Sequence, residues 1–168
     1  MQSGTVGAMA GWTDFAVITG GASAALVGLL FVAVSVRAEH IAQSKVLRAR
    51  LAQILTIFVG VLAASIAIAL PNPAGWILGV ELIAVSLLMA ASLIVLGSRA
   101  ERAATVAPLE RILEKLNPNI TTAALILLGG TGLLLGFTAG LFLVAIAALV
   151  AFIGGVIGAW LVLVRPAG

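Results

Sequence analysis

"GWILGVELIAVSLLMAASLIVLG", Gly75 to Gly97, decides the fold, because it is apolar throughout apart from one carboxylate, Glu81. At about 1.5 Å per residue it is long enough to cross a hydrocarbon core of about 30 Å as a helix. Trp76 opens it, as suits a ring that prefers the boundary between lipid and water. Glu81 follows Trp76 by five residues, so it lies about 7.5 Å inside that boundary.

Composition extends this reading to the whole chain of 168 residues. Hydrophobic residues make up 62% and charged residues 9%, against roughly 45–50% and about 25% in an ordinary soluble domain. Too few polar side chains remain to cover a soluble surface. Nineteen glycines agree, since glycine is more frequent in membrane helices than in soluble ones. With no Cys, there is no disulfide, thiolate metal site or cysteine nucleophile. The net charge of +3 is read as orientation, and nucleic acid is not an expected partner.

Outward from Gly75, five apolar stretches are expected to span: 15–36, 51–70, 76–96, 120–137 and 141–164. "PNPAG", Pro71 to Gly75, and "FTAG", Phe137 to Gly140, break them. The expected fold is an all-α polytopic bundle forming a single transmembrane domain. Arg37, Lys45, Arg48 and Arg50 fall between spans one and two. Arg99, Arg102, Arg111 and Lys115 fall between spans three and four, and Arg165 follows span five. Five spans put all nine cations on one side, so the N-terminus is expected outside and the C-terminus in the cytoplasm. Trp12 and Trp76 would mark the outer boundary and Trp160 the inner one. The uncharged opening residues lack the basic start of a cleavable secretory signal. Between spans three and four, Pro108 to Leu116 reads as a short amphipathic cytoplasmic helix with Leu109, Ile112, Leu113 and Leu116 on one face. It is expected to lie at the headgroup boundary or under the bundle, with a docking role as the sharper alternative. His40 has no second ligand patterned around it and reads as a solvated side chain.

Small residues at spacings of four mark helix packing, because they let backbones approach where lipid offers no hydrophobic contrast. Gly132, Gly136 and Gly140 read as GxxxGxxxG on span four, and Ala147, Ala151, Gly155 and Ala159 form the same pattern on span five. On span one, Gly20, Ala24 and Gly28 form one such line. Asp14, Gly21, Gly28 and Ser35 form a seven-residue seam expected to face another helix.

Spans one and three run in the same direction, which puts Asp14 and Glu81 at the outer end with no Lys or Arg to pair with. A lone carboxylate inside a membrane is costly and is expected to face the bundle interior or a hydrated cavity. Thr19, Ser65 and Thr138 are the candidate hydrogen-bond partners, judged from their depth in their own spans. Glu81, with Asp14, is thus either a joint between helices or a proton- or cation-responsive site.

Catalytic patterns are missing: there is no Ser with His, no pair of membrane aspartates and no HExxH, and the glycine clusters follow no strand. Asp14 and Glu81 as acid and base remain the one enzymatic option. No cofactor or metal site is expected. The opening "WTDFAVITGGASAALVGLLFVAVSVRAEHI", Trp12 to Ile41, resembles the start of small bacterial integral membrane proteins common in actinobacteria, some labelled modulators of the membrane protease FtsH. That resemblance implies a multi-pass protein of the bacterial cytoplasmic membrane and carries over no functional residue. The expected function is a non-enzymatic accessory or regulatory subunit of a membrane complex, partnered by lipid and by another membrane protein or itself. The alternative is a homo-oligomeric channel or transporter using Glu81.

Overall fold

The computed structural model describes residues 3–70, 75–101 and 118–164. They form six helices: α1 (Ser3–Val36), α2 (Ala38–Gln43), α3 (Lys45–Ala69), α4 (Gly75–Glu101), α5 (Pro118–Leu134) and α6 (Gly140–Val164). α1, α3, α4 and α6 are long and apolar enough to cross a membrane, and α5, with 17 residues, is a shorter apolar helix. The protein is an all-α, multi-pass membrane bundle. Helices suit this setting because each satisfies its own backbone groups where no water is available. The Pro108–Leu116 segment and the His40 side chain lie outside the described residues.

Four helices close a ring. α3 packs on α4, α4 on α5, α5 on α6, and α6 returns to α3. α1 lies outside the ring, mainly against α3 and more lightly against α6, and does not touch α4. Of the four long helices, α3 is the most buried and α1 the least. Phe58 sits at the junction of α1, α3 and α6. Its carbonyl accepts a bond from Ser23 of α1, and its ring lies where a Cβ on Gly155 of α6 would stand, only 2.5 Å away. At the basic end, α2 turns the chain from α1 into α3. Ser44 caps α3 by accepting from the Leu47 amide at 3.3 Å, and Ile41 tucks among Leu30, Leu51, Ile54 and Phe58.

Span four differs from the sequence expectation. α5 stops at Leu134, and Gly136 adopts φ +86°. The Phe137 amide bonds the Gly132 carbonyl at 2.8 Å and the Gly136 amide bonds that of Leu133 at 3.0 Å. This is the Schellman arrangement, in which a left-handed residue ends the helix and glycine adopts it without steric penalty. Gly132, Gly136 and Gly140 therefore do not line one face of one helix. Gly136 is a turn residue with nothing near it, and a Cβ on Gly132 would come 3.5 Å from the Gly140 Cα across the turn. The close backbone approaches lie elsewhere. A Cβ on Gly79 of α4 would meet the Gly130 carbonyl oxygen of α5 at 2.8 Å, and one on Gly130 would meet that of Gly79 at 2.9 Å. Gly129 similarly admits Gly140 and Val144 of α6. On α6, Ala147, Ala151 and Gly155 are buried and Ala159 is half-buried.

On α1 the expected rows separate. Gly20 packs on α3, where a Cβ would lie 3.2 Å from the Ser65 Cβ. Gly21, Ala24, Gly28, Asp14 and Ser35 are exposed, and a Cβ at Gly21 or Gly28 would meet nothing within 4 Å. The seven-residue seam faces no helix among the described residues. The buried face of α1 is instead the line through Ala16, Thr19, Ser23 and Leu30.

The hairpins α1–α3 and α4–α5 share one plan. Each first helix has a Gly-Trp pair in its first half, Gly11–Trp12 and Gly75–Trp76, and meets Arg-Ala-Glu at its C-terminal end, at 37–39 and 99–101. Near its middle, each has a buried serine that donates to a backbone carbonyl of the helix it pairs with. Ser23 donates to the Phe58 carbonyl and Ser86 to that of Ala123, both at 2.7 Å. The repeat is parallel, with both first helices running from the Trp end to the basic end.

Substitutions should separate these contacts in the purified chain. Gly79→Ala, which forces backbone against backbone, is expected to cost about 1–3 kcal/mol. Gly28→Ala, in open space, is expected to be neutral or to stabilise by up to about 1 kcal/mol. Ser23→Ala and Ser86→Ala should each cost about 0.6–1.7 kcal/mol, the range for interhelical bonds in membranes. Denaturation in mixed micelles measures all four.

Candidate functional site

Glu81 stands on α4 at the border between its packed and open faces. Leu78 and Leu82 beside it are 2% and 0% exposed, while Ile77 and Leu88, which continue its flank a turn before and two turns after, are 37% and 71% exposed. Successive residues step about 100° round a helix, so Glu81 projects sideways from the buried ridge of Leu78, Leu82 and Met89. The residue is half-buried, and its Oε2 is wholly buried with no hydrogen-bond partner. A buried polar atom that lacks a partner costs about 1–3 kcal/mol, and more when charged.

None of the expected partners serves it. Thr19 and Ser65 bond each other at 2.9 Å across α1 and α3. Thr19 also lies 2.8 Å from the Phe15 carbonyl of its own helix. When it donates there, Ser65 is the donor of the pair, so the two hydroxyls form a short chain that ends on the α1 backbone. Thr138 is exposed in the turn between α5 and α6. Ser92, further along the Glu81 flank, donates back to the Leu88 carbonyl at 2.9 Å.

Asp14 and Glu81 are also not brought together. Both lie toward the Trp12 and Trp76 end, but α1 and α4 pack on α3 without a close backbone approach to each other, and Asp14 is exposed. This separation removes the acid and base pair that the sequence left open. Trp12 departs from a simple boundary marker too. It is half-buried and meets the Phe15 and Phe142 rings edge-on, with centroids 5.7 and 5.0 Å away, pinning α1 to α6. Such pairs contribute about 0.5–1.5 kcal/mol each beyond area burial. Trp76 and Trp160, 61% and 66% exposed, keep the open positions suited to a boundary.

The Thr19–Ser65 pair lies on a cavity of about 10 Å³ closed by Phe15, Val61, Ala64, Ile68, Ile126, Val144 and Ala148. That is room for at most one water molecule. Deeper in the bundle, Thr122 is 0% exposed and its Oγ1 has no partner. Among the described residues, no three His, Cys, Asp or Glu side chains come together to hold a metal ion.

Sequence reasoning found Glu81 and missed Ser23, Ser86 and the Gly79–Gly130 contact. The signal was present in the buried serines, each about three turns past a boundary Trp in two spans of the same direction. No protein-family model, no curated protein and no solved structure matches the chain.

Two stability tests follow. Glu81→Gln and Glu81→Leu should leave the isolated chain at least as stable as it is, because the buried Oε2 makes no hydrogen bond there to lose. Thr19→Val should destabilise by about 1–3 kcal/mol, since it strands the Ser65 hydroxyl. Adding Ser65→Ala to Thr19→Val should recover part of that loss. Thermal midpoints of purified protein read both outcomes.

Proposed function

We propose that the protein is a non-enzymatic accessory or regulatory subunit of another membrane complex, residing in the bacterial cytoplasmic membrane. The observation that supports this best is Glu81, a carboxylate whose buried oxygen has no partner within the chain and which stands at the edge of an open helix face. Groups that cost stability in the isolated chain and yet lie at its surface are suited to contacts made in an assembly. The filled ring favours the same reading. Leu78, Leu82, Ile126, Ala147 and Ala151 are all at most 2% exposed, and the cavity beside Thr19 holds a single water at most. Transport through one such chain has no route among these residues. A pore would have to form between copies, which is how the channel or transporter reading survives.

The exposed surface offers contacts of two kinds. The outer face of α1 is smooth and small-sided at Gly21, Ala24, Ala25 and Gly28, a shape that admits another helix closely. The Glu81 flank of α4 adds a polar point. The resemblance of Trp12–Ile41 to proteins labelled modulators of a membrane protease makes such a protease the first complex to examine.

Gentle extraction from native membranes followed by crosslinking and native mass spectrometry tests the proposal. The expected result is a defined assembly containing at least one other membrane protein. Recovery of the chain alone or only with itself, together with proton or ion flux through purified protein in liposomes, would overturn the accessory reading in favour of a channel.

A further inference from the structure

We infer that Glu81 is the pairing point for a membrane-spanning helix of another protein that carries a Lys or Arg in its outer third. The inference rests on the accessory reading and names the chemistry of the partner. Charge decides it. Arg37, Lys45, Arg48 and Arg50 lie at the opposite end of the bundle from Glu81, and in the sequence the remaining five cations fall at the end of α4, between α4 and α5, or after α6. A second copy inserted in the same direction therefore brings no Lys or Arg to the outer end, only further carboxylates. Ionisable side chains within membrane helices pair with one another or with backbone groups, and Oε2 of Glu81 has neither.

The duplicated hairpin supplies an internal control. Counting back from the buried serine, the position on α1 that corresponds to Glu81 is Ile18, and counting forward from the Trp it is Val17. Both are apolar and open, 70% and 64% exposed. The same hairpin plan, with its serine bond intact, is thus built without an acid at this place, so hairpin packing does not require Glu81. Its surroundings admit a helix. Ile77, Leu88 and Ser92 continue the flank as open surface, and an incoming helix lying along them would bring a long cationic side chain to the half-buried Glu81 side chain, whose carboxylate has to turn outward for Oε2 to meet it. Asp14 is exposed on α1, two residues past Trp12, on a face with no buried unpartnered atom, so it does not share the role.

The test uses the full chain in phosphatidylcholine vesicles with synthetic Leu/Ala membrane helices as probes. One probe carries a single Lys in the outer third, one carries Lys in the inner third, and one carries none. Energy transfer between labels reports association. The outer-Lys probe is expected to bind about tenfold more tightly than the other two. Glu81→Gln should abolish that preference, while Glu81→Asp and Asp14→Asn should retain it. Equal binding of the outer-Lys probe to the wild-type chain and to Glu81→Gln would overturn the inference, as would loss of the preference in Asp14→Asn alone. Loss of the preference on adding phosphatidylethanolamine would assign Glu81 to a lipid ammonium and overturn it too. A chain that lacks the preference yet comes out of native membranes with another protein keeps the accessory reading and loses this one. A chain that shows the preference yet is recovered only with itself does the reverse.

Discussion

A buried serine that donates to the backbone carbonyl of the neighbouring helix is the interaction on which this bundle is organised. It occurs twice, from Ser23 to Phe58 and from Ser86 to Ala123, at the same length. In lipid the hydrophobic effect gives no preference for helix against helix, so pairing depends on close packing and on the few polar groups that can be satisfied across an interface. A serine side chain is short enough to keep the backbones close while making such a bond. Near the Ser86 bond, Gly79 and Gly130 let the α4 and α5 backbones meet. Near the Ser23 bond, Gly20 does the same on one side and the Thr19–Ser65 hydroxyls reinforce it.

These contacts explain both what is closed and what is left open. The two hairpins stack through α3 and α4, where Met89 lies over Gly60, and α6 bridges from α5 back to α3 to complete a ring. α1 has its serine bond to α3 and its Trp12 cluster on α6 but no place inside the ring, and from Gly11 to Val36 it is the least buried of the four long helices. Glu81 stands beyond the edge of the α3–α4 contact. Polar groups inside the bundle are drawn into bonds at Thr19, Ser23, Ser65 and Ser86. Thr122, wholly buried, and Glu81, at the edge of an open face, each keep an oxygen without a partner, and of the two only Glu81 stands where another protein can reach it, which is what supports an accessory role.

Much of this was legible from hydrophobicity and charge alone. Apolar length located the long helices and the shorter α5 to within a few residues at most ends, the start of α1 excepted, which lies at Ser3 rather than 15, because a hydrocarbon slab imposes a minimum run that composition reveals directly. α3 begins earlier, at Lys45, because Ser44 caps it ahead of the apolar run. Glu81 stood out for the same reason in reverse, as a charge where almost none is tolerated. The lateral arrangement was not legible. Spacings of four place small residues on a common face only if one helix runs through them, and Gly136 ends the helix in the middle of the expected row. The Asp14–Gly21–Gly28–Ser35 seam repeats correctly, yet nothing in its spacing says whether the facing helix is in this chain. Depth alone paired Thr19 and Ser65 with Glu81, whereas the angular position of each residue pairs the two hydroxyls with each other.

The account turns on the Glu81 flank being a protein contact rather than a lipid-facing surface. The most direct measurement is site-specific photocrosslinking in intact native membranes, with the crosslinker placed at Leu88 on that flank and, for comparison, at Leu134 near the end of α5; both side chains are exposed in the isolated chain. The account predicts a discrete adduct with another membrane polypeptide from position 88, lost when Glu81 is changed to Gln, and lipid adducts from position 134. Lipid adducts alone from position 88, or a polypeptide adduct that persists unchanged in Glu81→Gln, would contradict it.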